Sequence, residues 1–362
     1  MRVTVLHEYG APGHFRALEA LLRMRDLPLP RYREFSSRYG WKRLLKHGDP
    51  KPLSRWPGNL LALACLAATA GEVVVLGMAP FDPRMVVLRW MLRRHRVVYF
   101  TSWHVWDGSR HPKGCPGDRQ AVQRAWRRFL EDDAAGICAV TAPVLESLRA
   151  NYAIAAPAAV VWHGVDPETY HPRGRRDDDV APLRILFVGE LIHRKGIDRL
   201  AKLIDHPLLT DCRWTVVGEG PERAALEALP RGAGRVDLLG FIADNRALAD
   251  IYRGHDVLVL PTREEPFGMV IIEAMACGVV PLSTDVFGPR QILDGDTGGI
   301  LLKENNFVAQ AANHLAVLSA DRPELRRRRK AVIAEAERFH VAALAARWAT
   351  VLDPLLGNAE AS

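Results

Sequence analysis

Cysteine is scarce in this chain, with five residues in 362, and none stands in C-x-x-C spacing. An odd, scattered set argues against a disulfide framework and for free thiols in a reducing compartment. His104, His111 and Cys115 lie close together, but their spacing matches no metal pattern and they read as loop residues. Nothing else in the sequence reads as a metal site. Apolar runs of membrane-spanning length are also missing. The nearest approach, NLLALACLAATA, is too short and is followed by Gly71 and Glu72, so it reads as a buried helix. The opening MRVTVLHEYG lacks the apolar core of a secretory signal and reads as a strand and a turn. There is no repeat of 20 to 50 residues and no low-complexity tail. A cytoplasmic location is therefore expected, with the inner membrane face as its extension.

What is present is ordinary globular composition, 48% apolar and 25% charged, in a chain too long for one comfortable core. Two domains are the natural expectation. The charge is unevenly shared: residues 1–180 carry a net +9 and residues 181–362 a net −2, for +7 overall. A basic first half suits an anionic partner. Its densest part, residues 23–46, mixes Arg23, Arg25, Arg31, Arg33, Arg38, Lys42, Arg43 and Lys46 with Leu29, Tyr32, Phe35 and Trp41. That mixture fits either an interfacial segment on an anionic membrane or a solvated basic surface. RRRRK, 326–330, reads as a solvated helix face.

Short β-branched runs alternate with longer helical patterns along most of the chain, which indicates parallel α/β architecture. VTVLH, EVVVLG, RVVYFT, GICAVT and AAVVWH are the expected strands of a first domain, residues 1–170. HPRGRRDDDVAP, residues 171–182, has the composition of a linker. LRILFVG, RWTVVGEG, RVDLLG, DVLVLP and VVPLST are the expected strands of a second domain, residues 183–340, followed by a terminal helical segment, 341–362. The fold class is α/β, two Rossmann-like parallel-sheet domains. Ligands of open parallel sheets bind beyond the carboxyl ends of the strands, so a cleft between the two domains is the expected active site.

Three strand ends of the second half stand out. LRILFVG runs into ELIHRKGID, placing Gly189 ahead of the adjacent cations Arg194 and Lys195, a set suited to a diphosphate or to a plain basic surface. RWTVVGEGPER contains Gly218 and Gly220, but Arg223 stands where a dinucleotide fingerprint needs its third glycine, so this is read as a tight turn. DVLVLPTREEPFG leads into a helix starting near Gly268, whose first amides have no intrahelical partners. Glu273 follows little more than a turn later, in an otherwise apolar run. A buried carboxylate needs donors, and a ribose cis-diol offers two side by side. Glu265, ahead of the helix, is placed to accept from sugar hydroxyls.

E-P-F-G-M-V-I-I-E-A-M-A-C-G-V-V-P resembles the E-x7-E signature of glycosyltransferase family 4, retaining nucleotide-sugar enzymes of GT-B fold. F-V-G-E-L-I-H-R-K-G-I-D is similar to that family's diphosphate loop, V-V-G-E-G-P-E-R to its next turn, and W-H-G-V-D-P-E-T-Y-H-P to its inter-domain segment, with His163 in place of the usual Asn. R-F-H-V-A-A-L-A-A-R-W resembles the helix that crosses back to the first domain. The resemblance spans roughly residues 160–350. It implies that Arg194 and Lys195 bind the diphosphate, with Gly189 giving backbone room. Glu273 would hold the ribose, Glu265 a hydroxyl of the transferred sugar, and the amides of Phe267, Gly268 and Met269 the sugar and phosphate. Gly240, Phe241 and Ile242 resemble the segment flanking the base. In the first domain His104, just past a strand end, is implied near the donor sugar, a satisfied structural histidine being the alternative. Gly10 and Gly13 resemble a glycine-rich, acceptor-side first loop that lacks its double glycine.

The expected activity is hexosyl transfer with retention from a UDP- or GDP-linked sugar to a lipid-linked or glycan acceptor, with no metal and no cofactor beyond that co-substrate. Same-face attack guided by the leaving phosphate follows from the resemblance. An epimerase or phosphorylase of the same fold is the alternative reaction. A nucleic-acid-binding protein is the alternative class, disfavoured because the aromatics and cations form no known module for it.

Overall fold

A computed structural model describes residues 2–7, 12–34, 56–107, 120–173, 182–229, 235–295 and 297–357. The chain divides into two units, residues 1–163 with 341–362, and residues 164–340. Each is built on six parallel strands. In the first, β1 (Val3–His7), β2 (Arg31–Glu34), β3 (Val73–Gly77), β4 (Arg96–Thr101), β5 (Ala134–Ala139) and β6 (Ala158–Val160) lie in the order β2-β1-β3-β4-β5-β6. In the second, β7 (Arg184–Val188), β8 (Arg213–Val217), β9 (Arg235–Gly240), β10 (Val257–Leu260), β11 (Val280–Thr284) and β12 (Ile300–Leu302) lie in the order β12-β11-β10-β7-β8-β9.

The central strands are continuous apolar runs because helices cover both faces of a parallel sheet, and Val73, Val74, Val75 and Leu76 are all fully buried. β2, RYRE, is an edge strand and among the described residues pairs with β1 alone. Its charges suit a sheet edge and hide it from a hydrophobicity reading. The segment NLLALACLAATA contributes to a helix over Trp56–Ala68, and among the described residues no helix is long and apolar enough to cross a membrane.

Residues 164–170, assigned to the first domain by the sequence pattern, belong to the second unit. Val165 N–H donates to Phe339 O at 2.9 Å, and Arg253 donates to Thr169 O at 2.5 Å and to His171 O at 2.9 Å. Most of the expected linker, residues 174–181, lies outside the described residues, as do Gly10, His111 and Cys115.

The helix Val341–Leu356 belongs to the first unit. Leu344, Ala345, Trp348, Val351 and Leu352 form its buried stripe, spaced for one helical face. Trp348 is fully buried and stacks on Phe100, with centroids 5.6 Å apart. Gly136 of β5 makes the close approach possible, since a Cβ there would stand 2.4 Å from Val351 Cγ1. Arg25 and Arg96 hold the far end, through Asp353 and the Leu355 carbonyl, at 2.5 Å each.

At the carboxyl end of β1, the ring of His14 lies 4.6 Å from that of His163. Burial holds His163 well below the usual histidine range, and the nearby His14 presses the same way. Burial also lowers His14, with His7 adding to it.

Two expectations follow. Trp348→Ala removes a buried indole and leaves a cavity, so it should destabilise the first unit by about 3–5 kcal/mol; an unchanged urea midpoint would contradict the packing described. Both imidazoles are kept neutral by folding, whereas the unfolded chain protonates them at an ordinary value near 6.5. Their contribution is therefore intact above that value and is lost as pH falls below it, with a slope of up to about 1.4 kcal/mol per pH unit for each. His163→Asn should flatten the acid limb of a stability-against-pH curve, and an equally steep limb in the variant would rule His163 out as its source.

Candidate functional site

The strand order of the second sheet reverses between β7 and β10, which are hydrogen-bonded neighbours although two strands, β8 and β9, separate them in sequence. Loops leaving two such strands diverge to opposite faces and open a crevice at their carboxyl ends, the usual ligand position in sheets of this type. The loop after β7 carries Gly189, Arg194 and Lys195, and the loop after β10 carries Glu265, Phe267 and Gly268. The sequence motifs meet at this point.

The two loops are joined by several bonds. Lys195 Nζ and Glu265 Oε2 form an ion pair whose side chains are only 14% and 11% exposed. Arg194 Nη1 donates to Glu264 O at 2.9 Å. Arg194 O in turn accepts from Arg263 N–H at 2.8 Å and from the Thr262 hydroxyl at 3.1 Å. Gly196 makes the approach possible: its φ is +73°, and a Cβ would sit 2.0 Å from Pro261 O. Arg263 also grips Asp198 with two bonds of 2.8 Å, which hold that carboxyl below its ordinary range. The loop after β8 is tied in as well, through Leu191 N–H to Glu219 O at 2.9 Å and Gly218 N–H to Gly240 O at 2.8 Å. Gly218 and Gly220 thus serve a tight turn against the β7 loop.

The helix Met269–Ala276 starts at this junction, on Gly268 with φ +106° and no side-chain cap. Its first amides have no intrahelical acceptor and point toward the crevice end of the sheet. Phe267 is buried against Phe339, with ring centroids 6.3 Å apart, while Met269 is partly exposed. One turn further on, Glu273 Oε2 accepts from Tyr252 Oη at 3.0 Å. The sequence reading looked only to a ligand for donors to Glu273. The fold supplies one itself, from the helix Asn245–Arg253. Burial pushes the Tyr252 phenol well above its ordinary range, with the charge of Glu273 adding to the shift, so it stays a neutral donor.

Gly240 ends strand β9 and Phe241 and Ile242 follow it, two strands from β7 in the same sheet. Phe241 is 75% exposed, an apolar ring presented at the carboxyl edge. His104 lies in the first unit, partly exposed, three residues beyond the end of β4 and near Trp103, with centroids 5.9 Å apart. Gly13 lies in the single turn of 3₁₀ helix Pro12–Phe15 after β1. The sequence reading missed Tyr252, Thr262, Arg263 and Asp198. Arg263 could have been noticed beside Glu264 and Glu265, but its partner is 65 residues away.

Comparison with known proteins adds to this geometry. Residues 182–321 match the family model of glycosyl transferases group 1. A GDP-mannose-dependent alpha-(1-6)-phosphatidylinositol dimannoside mannosyltransferase of Mycobacterium tuberculosis is 35% identical over 46% of this chain and 44% of its own length. A GDP-mannose-dependent alpha-mannosyltransferase of Mycolicibacterium smegmatis is 31% identical over 66% of this chain and 60% of its own length. The chain thus spans about half the length of the curated relatives it matches. Anabaena HepE, solved in complex with UDP, shares the fold with a TM-score of 0.72 at 18% identity, covering 98% of this chain and 100% of HepE. Sucrose-phosphate synthase from Thermosynechococcus elongatus shares it with the same TM-score, covering 99% and 100%. Over residues 182–321 the chain is similar to the group 1 glycosyl transferases.

Proposed function

We propose that this protein transfers a hexose, with retention, from a nucleotide-diphosphate sugar to a glycan or lipid-linked acceptor. The observation that carries the proposal is the pairing of Lys195 with Glu265 across two abutting loops, next to Arg194 and under an uncapped helix start. Cleavage of the bond from anomeric carbon to phosphate builds negative charge on the diphosphate and positive character on the sugar. Arg194, Lys195 and the amides of Gly268 and Met269 are fixed donors for the first. Glu265, held in place by Lys195, accepts from a sugar hydroxyl beside the second. Donors that need no reorganisation at the moment of reaction lower such a barrier by several kcal/mol.

Glu273 takes the ribose hydroxyls, oriented by Tyr252, and Phe241 with Gly240 and Ile242 flanks the base. His104 is assigned to the sugar and Gly13 to the acceptor side. GDP-mannose is the donor to test first, because proteins 31% and 35% identical to this chain are named for it. UDP sugars come next, since a protein of the same fold was solved with UDP. A lipid acceptor draws support from the phosphatidylinositol dimannoside named for one relative, and association with the inner membrane face from the net charge of +9 in residues 1–180. The similar proteins support glycosyl transfer and lend nothing to the epimerase, phosphorylase or nucleic-acid alternatives.

Lys195→Ala and Glu265→Ala should each lower transfer by about 10²–10³-fold, as loss of a preorganised charged group does, with the circular dichroism spectrum unchanged. Full activity in both variants would end the proposal. Tyr252→Phe leaves Glu273 short of a buried donor. It should cost about 1.5–3 kcal/mol of stability and reduce the thermal shift produced by GDP or UDP. A wild-type shift with either nucleotide in that variant would remove Tyr252 and Glu273 from nucleotide binding.

A further inference from the structure

The helix Met85–Leu92 has two unlike faces. Met85, Leu88 and Leu92 are buried in the core of the first unit, while Val86, Val87 and Trp90 are 48%, 71% and 67% exposed. Single exposed apolar residues are common on any protein. Here three stand together at i, i+1 and i+4 on one outward face, and one is a tryptophan.

The border of this patch is cationic. The Arg94 guanidinium lies 5.0 Å from the centroid of the Trp90 ring, and the Arg93 side chain is 59% exposed. The helix Gln120–Arg128 packs alongside. It contains no acid and turns Arg124, Arg127 and Arg128 to solvent. The acids nearby are largely engaged: Asp82 by Arg84, Asp133 by Arg89 and Arg93, and Glu131 by Arg127. Asp132 is exposed. Across residues 82–94 and 120–133, seven arginines face four acids.

We propose that the outward face of helix Met85–Leu92, with the arginines that border it, docks on an anionic phospholipid surface. Val86, Val87 and Trp90 enter the boundary between headgroups and acyl chains, where a tryptophan ring is well placed, and the arginines meet lipid phosphates. Its residues are other than 23–46, the stretch in which the sequence suggested membrane contact. The inference rests on the membrane-facing part of the proposed function and not on its donor chemistry.

The test is sedimentation of the full chain with vesicles of equimolar phosphatidylcholine and phosphatidylglycerol, and of phosphatidylcholine alone. The wild type should partition to the mixed vesicles and release as salt is raised. Val87→Glu combined with Trp90→Glu should weaken that partition by about tenfold or more, and Arg94→Glu with Arg128→Glu should weaken it and flatten the salt dependence. All these positions are exposed, so the thermal shift with nucleotide should match the wild type in both variants. Wild-type partition of the Val87/Trp90 variant would overturn the assignment of this face while leaving membrane association standing. Failure of the wild type to sediment would overturn both, with transfer from a nucleotide sugar still to be judged by the Lys195 and Glu265 variants. Self-association of the wild type that the Val87/Trp90 variant abolishes, without vesicle binding, would make the patch an interface between copies.

Discussion

The second unit depends on how closely two loops from neighbouring parallel strands approach each other. The approach of Gly196 to Pro261 O admits no side chain, and it brings the carbonyl of Arg194 within reach of Thr262 and Arg263. Once the loops are locked, Lys195 and Glu265 come together in a largely desolvated place. There an ion pair is held tightly, and a lone charge would cost several kcal/mol. The uncapped helix start of Gly268 and Met269 belongs to the same junction, because the second loop ends there. Cation, carboxylate and free amides are thus gathered by backbone contact, without a dedicated scaffold for each.

Much of this was legible in the chain itself. Alternation of β-branched runs with helical patterns marks the strands, because a parallel sheet covered on both faces needs nearly every strand residue to be apolar. Gly189, Arg194, Lys195, Glu265 and Gly268 were visible as strand-end residues of unusual composition. Strand β2 was not, since its four residues are three charged groups and a tyrosine at the edge of the sheet. Strand β12, only three residues long, is too short to show a period. The pairing of Tyr252 with Glu273 was out of reach for another reason. It joins two helices through tertiary packing, and nothing in either local sequence names the other.

Glu273 shows how a polar group is tolerated in an apolar helix. Its flanking residues Ile271, Ile272, Ala274 and Met275 are buried, yet its own carboxylate is only partly enclosed and already has a phenol donor. That donor holds one carboxylate oxygen in place. A residue so constrained presents a fixed acceptor and pays little ordering entropy when a ligand arrives.

The return of residues 341–356 to the first unit also bears on synthesis. Residues 164–340 are contiguous, so the second unit has its whole sheet and all its helices before the last stretch leaves the ribosome. The first unit begins earlier but finishes later. Until Trp348 arrives, Phe100 lacks its stacked neighbour and part of the core around β4 and β5 stays open to water. The half of the molecule that is made first is therefore the one that must wait, and during that wait its uncovered apolar surface is what a chaperone would meet.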